Sequence, residues 1–246
     1  GWRADIVLLD DLEACRVHSV FAGGREATEE AFSARRTIAP VALDSVKLSK
    51  VSRDDFKAKA GGANEVSVIG VVPGRIITEH LKRTLPVDGG FLGSDPAQDV
   101  VKVAVVERHG VNGNIGRGFV SGFGLKRGAI ASSVGHDSHN ICVIGADDIS
   151  MAAAVNRLVE LKGGFAVADG ERILAELALP LAGLMSLEPF ETVRHALETL
   201  REAARQIGCT LPEPFLQVAF LPLPVIPHLK ITDRGLFDAD RFELID

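Results

Sequence analysis

Short apolar and alternating runs, separated by polar turns, dominate the first half of the chain, and this pattern is typical of β-strands. Such runs cover residues 4–9 and 16–22, with a Gly-Gly turn after the second, and again 66–72 and 100–107. The last run is rich in β-branched residues, which favour strands. We therefore predict a small β unit at the start of the chain and a larger β-rich region from residue 65 onward.

Two segments of the second half carry apolar positions at helical spacing. Residues 147–162 begin with two aspartates, which suit the positive end of a helix dipole, and a Gly-Gly pair follows. Residues 189–207 have apolar side chains every three or four positions and precede Gly208. Short apolar runs at 165–168 and 215–221 predict further strands. The mixed order predicts an α+β fold, mainly an antiparallel sheet with packed helices, preceded by part of a small β-sandwich.

Two irregular stretches interrupt these elements. Residues 44–60 are polar and predict a linker or an exposed excursion, so we predict one unit over 1–60 and a second over 61–246. The span 113–124 holds five glycines, which indicates the tight turns of a glycine-rich hairpin. It lacks the Gly-Lys-Ser/Thr sequence of a phosphate loop.

Composition narrows the class of protein. The chain has 246 residues, 46 % of them apolar, and a net charge of −6, as in an ordinary globular protein. No basic run with interleaved aromatic residues predicts nucleic-acid binding, and no apolar run approaches the ~18 residues of a membrane span. Three widely spaced cysteines favour reduced thiols in the cytoplasm. The sequence begins with Gly1 instead of Met, and an apolar strand pattern starts almost at once. We therefore expect it to begin inside a longer chain.

The densest polar cluster is Ser-Ser-Val-Gly-His-Asp-Ser-His-Asn, residues 132–140, immediately before the apolar run 141–144. Imidazole, carboxylate, amide and hydroxyl groups are costly to bury unless each finds a partner. The cluster is therefore either a satisfied structural network or a functional site, in a loop that leads to a buried strand.

If the loop is functional, His136, Asp137 and His139 are the candidates for catalysis, because imidazole titrates near neutral pH and its two nitrogens can donate and accept together. The amide of Asn140 could pair with a planar heterocycle through both of its polar atoms. The candidates for substrate binding are the hydrogen-bonding residues of the same loop: Ser133, Ser138 and Asn140.

Other chemistries fit the pattern less well. His136 and His139 have one carboxylate and no Cys or Glu nearby, and the chain lacks His-x-His, His-Glu-x-x-His and Cys-x-x-Cys. We therefore predict no metal ligands in this chain. Ser138 lacks a nucleophile elbow. Arg108-His109 and the segment 232–234 are interpreted as solvated edges or turn stabilisers.

Residues 122–140 closely resemble a block in the C-terminal part of bacterial adenine deaminases of the amidohydrolase superfamily. The resemblance continues through Leu-Pro-Leu-Ala-Gly-Leu-Met-Ser at 179–186, Leu-Pro-Val-Ile-Pro at 223–227 and Lys-Ile-Thr-Asp-Arg-Gly-Leu at 230–236. These blocks occur in order over most of the chain. One departure is Gly135, where the family pattern leads us to expect Ala.

The resemblance implies the C-terminal portion of a cytoplasmic enzyme that hydrolyses adenine to hypoxanthine and ammonia. It implies a binuclear Mn or Fe centre whose ligands lie in an N-terminal barrel outside this chain. The implied partners are adenine, that barrel and further copies in a homo-oligomer, with no nucleic acid and no membrane. On this reading the loop 136–140 closes over the barrel mouth. The alternative is a non-catalytic nucleobase-binding or assembly domain.

Overall fold

The computed structural model describes residues 1–33, 38–62 and 64–245. Two compact units, Gly1–Pro40 and Val41–Asp246, make up the chain. In the first unit, strands β1 (Ile6–Asp11), β2 (Arg16–Ala22) and β3 (Arg25–Glu26) form an antiparallel sheet, and helix α1 (Glu29–Ser33) follows. Gly23 and Gly24 both have positive φ, +59° and +79°, and form the turn between β2 and β3.

The second unit contains the remaining strands and helices. In chain order these strands are β4 (Ala58–Lys59), β5 (Glu65–Val71), β6 (Thr78–Thr84), β7 (Val87–Asp88), β8 (Phe91–Leu92), β9 (Val100–Val106), β10 (Ile115–Ser121), β11 (Ala129–Ser132), β12 (Ile141–Gly145), β13 (Gly164–Asp169), β14 (Arg172–Ala178), β15 (Leu229–Thr232), β16 (Gly235–Asp238) and β17 (Glu243–Ile245). The helices are α2 (Asp148–Leu161), α3 (Phe190–Gln206) and α4 (Pro214–Phe220). Short 3₁₀ turns cover Arg53–Phe56 and Pro96–Gln98.

An eight-stranded sheet forms the centre of this unit, in the order β14-β13-β11-β12-β9-β10-β5-β6. Every neighbouring pair is antiparallel except β10 with β5. Two small sheets accompany it, β4-β8-β7 and β15-β16-β17. The predicted α+β class with a mainly antiparallel sheet is confirmed. None of the helices in the described ranges has the length and apolar composition needed to span a membrane.

Both faces of the large sheet are covered, which explains why its central strands are continuous apolar runs. Val103 and Val105 of β9 pack in one cluster with α3 and α4, whereas Ala104 and Val106 pack in a second cluster with α2. Successive side chains of a strand point to opposite faces, so a strand buried on both faces must be apolar at every position.

The predicted helix after the polar cluster is confirmed as α2. The Asp147 carboxylate caps its first turn by accepting a hydrogen bond from the Ser150 amide at 2.8 Å. Lys162 adopts a left-handed conformation, and the Gly163 amide donates to the Leu158 carbonyl at 2.8 Å. These contacts end the helix where the Gly-Gly pair predicts.

Two predictions for other segments are wrong. The apolar pattern predicts a strand over 215–221, but α4 covers most of this run, because Phe215 and Val218 recur at helical spacing and enter the core. A short apolar run does not distinguish a strand from a buried helix turn. The segment 44–60 is not an exposed excursion throughout, because Val46 and Phe56 are buried within the second unit. The compact unit therefore begins at Val41, ahead of the predicted boundary at residue 61.

Candidate functional site

The polar cluster lies in the loop that joins β11 to β12 near the middle of the large sheet. We call residues 133–140 the cluster loop. Strand β12 pairs with β9 so that Ile141 is opposite Val106. This register brings Arg108, two residues after Val106, against the end of the cluster loop.

Ser133 and Asn140, at the two ends of the loop, are buried in its framework. The Ser133 hydroxyl donates to the Gly183 carbonyl at 2.6 Å and accepts from the Gly164 amide at 2.7 Å. The Asn140 side-chain oxygen accepts a hydrogen bond from the Arg108 amide at 3.3 Å. These contacts join the loop to β13, to the segment after β14 and to the end of β9. The predicted substrate-binding roles of Ser133 and Asn140 remain predictions.

His136, Asp137 and Ser138, in the middle of the loop, are exposed. The His136 amide donates to the Ala219 carbonyl at 2.7 Å, and its ring stacks on Phe220 with the ring centres 5.7 Å apart. Asp137 has a φ of +80°, in the left-handed region that non-glycine residues seldom adopt. The loop therefore exposes three polar side chains, and its backbone is hydrogen-bonded to α4 at Ala219.

His139 is half-buried and differs from the exposed residues before it. Its φ is +51°, its amide donates to the Gly135 carbonyl at 3.0 Å, and its Nδ1 atom is buried with no hydrogen-bond partner among the described residues. Burial lowers the pKa of His139, and the nearby Arg108, His136 and His109 lower it further, against the opposing effect of Asp137. This environment therefore favours the neutral form of the imidazole.

The prediction that Arg108 lies at a solvated edge is wrong, since the residue is only 1 % exposed. Its guanidinium donates to the carbonyl of His139, to the carbonyl and hydroxyl of Ser45 at 3.3 and 3.0 Å, and to the carbonyl of Ala182 at 3.1 Å. Burial lowers the pKa of Arg108, and the neighbouring Glu107 carboxylate opposes this effect. The position directly after a continuous apolar strand is the signal in the sequence that could have indicated burial.

Glu107 organises the loop that follows β9. Its carboxylate accepts hydrogen bonds from the backbone amides of His109, Val111, Asn112 and Gly113. Burial raises the pKa of Glu107, but these four donors outweigh that effect and the net shift is downward. The arrangement positions the His109 ring, whose Nε2 lies 2.8 Å from the Ser138 carbonyl oxygen.

Lys230 supports the other side of the cluster loop. The residue is fully buried, and its ammonium donates to the carbonyls of Ile76 at 2.8 Å and Phe220 at 3.2 Å. Burial lowers the pKa of Lys230 to about 8. A cation at the C-terminal end of α4 suits the helix dipole, and it holds the residue on which His136 stacks.

A metal ion needs a particular arrangement of side chains, against which the cluster loop can be compared. No group of three His, Cys, Asp or Glu side chains in residues 1–33, 38–62 and 64–245 is arranged to hold a metal ion. His136, Asp137 and His139 therefore do not fit a ligand set, since a structural or catalytic centre needs at least three protein ligands. What the loop offers is hydrogen bonding and a neutral imidazole.

Comparison with known proteins identifies a family. Residues 75–243 match the family model of the adenine deaminase C-terminal domain. The chain is 67 % identical over 246 residues to a protein named adenine deaminase in Methylobacterium nodulans. It is 60 % identical over 245 residues to adenine deaminase 1 of Rhizobium johnstonii and 56 % identical over 245 residues to adenine deaminase of Brucella anthropi.

These matches confirm the resemblance that the sequence blocks predict. Each alignment covers the whole of this chain but only 43 % of the relative's length. The family model itself spans well over half of the chain. The chain belongs to the adenine deaminase C-terminal domain family.

Proposed function

We propose that this chain is the C-terminal portion of an enzyme that hydrolyses adenine with one water to hypoxanthine and ammonia. Family membership supports the proposal, and one structural observation carries it. The cluster loop places His136, Asp137 and Ser138 at the surface on a framework whose hydrogen bonds are buried. A rigid framework with exposed polar groups is the arrangement that substrate binding requires.

The metal centre belongs outside this chain in our proposal. The described residues offer no ligand set for it. We assign the binuclear Mn or Fe centre to the barrel domain that the resemblance implies. The roles left to this chain are to bind the purine, to orient it and to limit the access of water.

Within the loop, the proposed roles follow from exposure and charge. His136 and Asp137 are exposed and can hydrogen-bond a purine directly, and Ser138 adds a hydroxyl beside them. His139 contributes an imidazole whose Nδ1 is buried, so Nε2 is the ring nitrogen left for the substrate. Ser133 and Asn140 act on the substrate through the loop backbone, since their side-chain oxygens bond protein amides.

The N-terminal unit supports a larger assembly. Its strand β1 exposes consecutive apolar side chains, with Ile6, Val7 and Leu8 each 46–56 % exposed. Such a surface is unusual for a protein that stays alone in water. We propose that this sheet is part of the predicted β-sandwich, and that the complete enzyme is a cytoplasmic homo-oligomer, which sedimentation of the complete protein tests.

A chimera tests the proposed activity. The C-terminal 43 % of the Methylobacterium nodulans protein would be replaced by this chain, and adenine loss and ammonia release would be measured with Mn²⁺ or Fe²⁺ supplied. We expect turnover by the chimera and none by the protein truncated at the same point. A folded, metal-loaded chimera that binds adenine without releasing ammonia would instead support the non-catalytic binding domain.

A further inference from the structure

The starting observation is a buried guanidinium that forms no ion pair among the described residues. Among the described residues, Arg108 donates only to carbonyl oxygens and to the Ser45 hydroxyl, and its neighbour Glu107 bonds backbone amides instead. A buried charge is costly, so a protein keeps one only where its hydrogen bonds are needed or its charge has a use. Arg108 bonds the His139 carbonyl of the cluster loop, so this loop is where its hydrogen bonds or its charge would have a use.

The three segments that Arg108 joins are far apart in the chain. Ser45 lies 63 residues before it, and Ala182 lies 74 residues after it. The third contact, to the His139 carbonyl, is made by Nε of the guanidinium. Gly183 leaves room for this arrangement, since a Cβ atom there would lie 2.6 Å from Nη1 of Arg108. Arg108 therefore fixes the His139 peptide from inside the protein.

The second observation is His139 itself. Its backbone is held in the left-handed region by hydrogen bonds at both its amide and its carbonyl. Its Nδ1 is buried without a partner in the described part of the chain. The charged and titratable groups around its ring are Arg108, His136, His109 and Asp137, of which only Asp137 favours a positive charge on it. A protonated ring would place an N–H without an acceptor near a buried guanidinium, so this geometry disfavours the charged form.

We propose that Arg108 is a positioning residue, which fixes the left-handed His139 backbone and holds the ring with its partnerless Nδ1 inside, so that Nε2 offers an N–H donor to a ring nitrogen of the substrate. Adenine carries such acceptors at the unprotonated nitrogens of its two rings. His136 and Asp137 then contribute surface contacts, and His139 orients the base. The substrate part of this inference rests on the proposed function, whereas the effect of Arg108 on His139 does not.

The effect on His139 is tested by NMR titration of its imidazole in the 246-residue chain, assigned with a His139→Gln variant. Arg108→Met should raise the pKa of His139, because both a positive charge and the fixed peptide are lost. Arg117→Met is the matched control. Arg117 also donates to carbonyls, those of Asp55 at 2.6 Å and Ile115 at 3.0 Å, but it is exposed.

A conservative variant separates charge from geometry. Arg108→Lys keeps a cation but cannot reach three carbonyl groups, so hydrogen exchange at the His139 amide should accelerate by at least ~10-fold as the loop loosens. Arg108→Lys also serves if Arg108→Met does not fold. An unchanged His139 pKa in a folded Arg108→Met protein, or unchanged exchange in Arg108→Lys, would overturn the inference.

The chimera then tests the substrate contact. KM for adenine should rise as pH falls through the pKa of His139, because protonation places an N–H at the buried Nδ1, which has no acceptor among the described residues, and so displaces the ring. This pH dependence should shift in Arg108→Met and disappear in His139→Gln. In the His139→Gln background, Arg108→Met should add less than half of its single-variant effect on kcat/KM, since Arg108 acts through His139. Independent effects would contradict the positioning role, whereas loss of turnover in the unaltered chimera would contradict only the proposed function.

Discussion

The two ends of the polar cluster and its middle differ in what their side chains do. Ser133 and Asn140 are buried and bonded to backbone groups, whereas His136, Asp137 and Ser138 are exposed. Sequence alone left a structural network and a functional site as alternatives for the whole cluster. The structure shows that the cluster is divided between a buried framework and an exposed polar surface. Polar side chains at the ends of the loop bond buried backbone groups of neighbouring segments, and this holds the loop that presents the exposed groups.

The largest difference between framework and surface is expected at two glycines with similar φ. Gly183 has φ +74° and Gly113 has φ +67°, but only Gly183 faces a crowded space, where an added Cβ atom would lie 2.6 Å from Nη1 of Arg108. Alanine costs roughly 1–2 kcal/mol in the left-handed region at either site. Because Arg108 is held by its hydrogen bonds and cannot move aside freely, Gly183→Ala should lose about 1–3 kcal/mol more. Urea unfolding of Gly183→Ala and Gly113→Ala measures this difference in unfolding free energy. Equal losses in the two variants would show that the Arg108 side chain moves aside.

The next expected effect is that the buried Lys230 makes the stability of the protein depend on pH. Lys230 bonds the carbonyl of Phe220, on which the exposed His136 stacks. Burial lowers the folded-state pKa of Lys230 to about 8, below the value of 10.5 for an unperturbed lysine. Below pH 8 both states are protonated and the folded protein bears the full burial penalty. Between pH 8 and 10.5 the unfolded chain binds more protons, so the stability of wild type relative to Lys230→Met should rise by up to about 3 kcal/mol.

Urea unfolding at several pH values measures this difference. Cys142, whose pKa burial raises to about 12, titrates in both proteins and is removed by the subtraction. Lys126→Met is the matched control, because the exposed Lys126 also donates to a carbonyl, that of Pro96 at 3.1 Å. A parallel pH profile for wild type and Lys230→Met would show that Lys230 is not desolvated.

Two serines give a direct comparison within the loop. Ser133→Ala leaves the buried Gly164 amide without its hydroxyl partner and should cost about 1–3 kcal/mol of unfolding free energy. Ser138→Ala removes an exposed hydroxyl and should stay within about 0.5 kcal/mol. If thermal or urea unfolding ranks them in the opposite order, the division into framework and surface is incorrect.

The smallest expected effect in free energy concerns activity rather than stability. His136→Ala and His139→Ala in the chimera should each lower kcat/KM for adenine by at least ~10-fold, equivalent to about 1.4 kcal/mol of transition-state stabilisation. The control is His195→Ala, at an exposed position on α3. Near wild-type kcat/KM for both loop variants would contradict a role of the cluster loop in the reaction.

Much of the fold could be predicted because its patterns are local. The apolar run of β9 and the capped, periodic segment of α2 each contain the information for their own conformation. The apolar run that forms α4 is too short for its periodicity to distinguish a helix from a strand. This is why the prediction of a strand there is wrong. Val46 and Phe56 were missed because isolated apolar residues in a polar stretch do not reveal which surface covers them.

The sequence by itself determined the class of fold, the family and the position of the polar cluster, since these depend on residue types, spacing and order. Only the tertiary structure decided which polar residues are framework and which are exposed. Ala219 supplies a backbone carbonyl to the loop at His136, and Ser45 and Ala182 supply backbone carbonyls to Arg108, which in turn bonds the loop. Every residue has such a carbonyl, so the sequence cannot distinguish these three, and only packing of the sheet and helices brings them to Arg108 and His136.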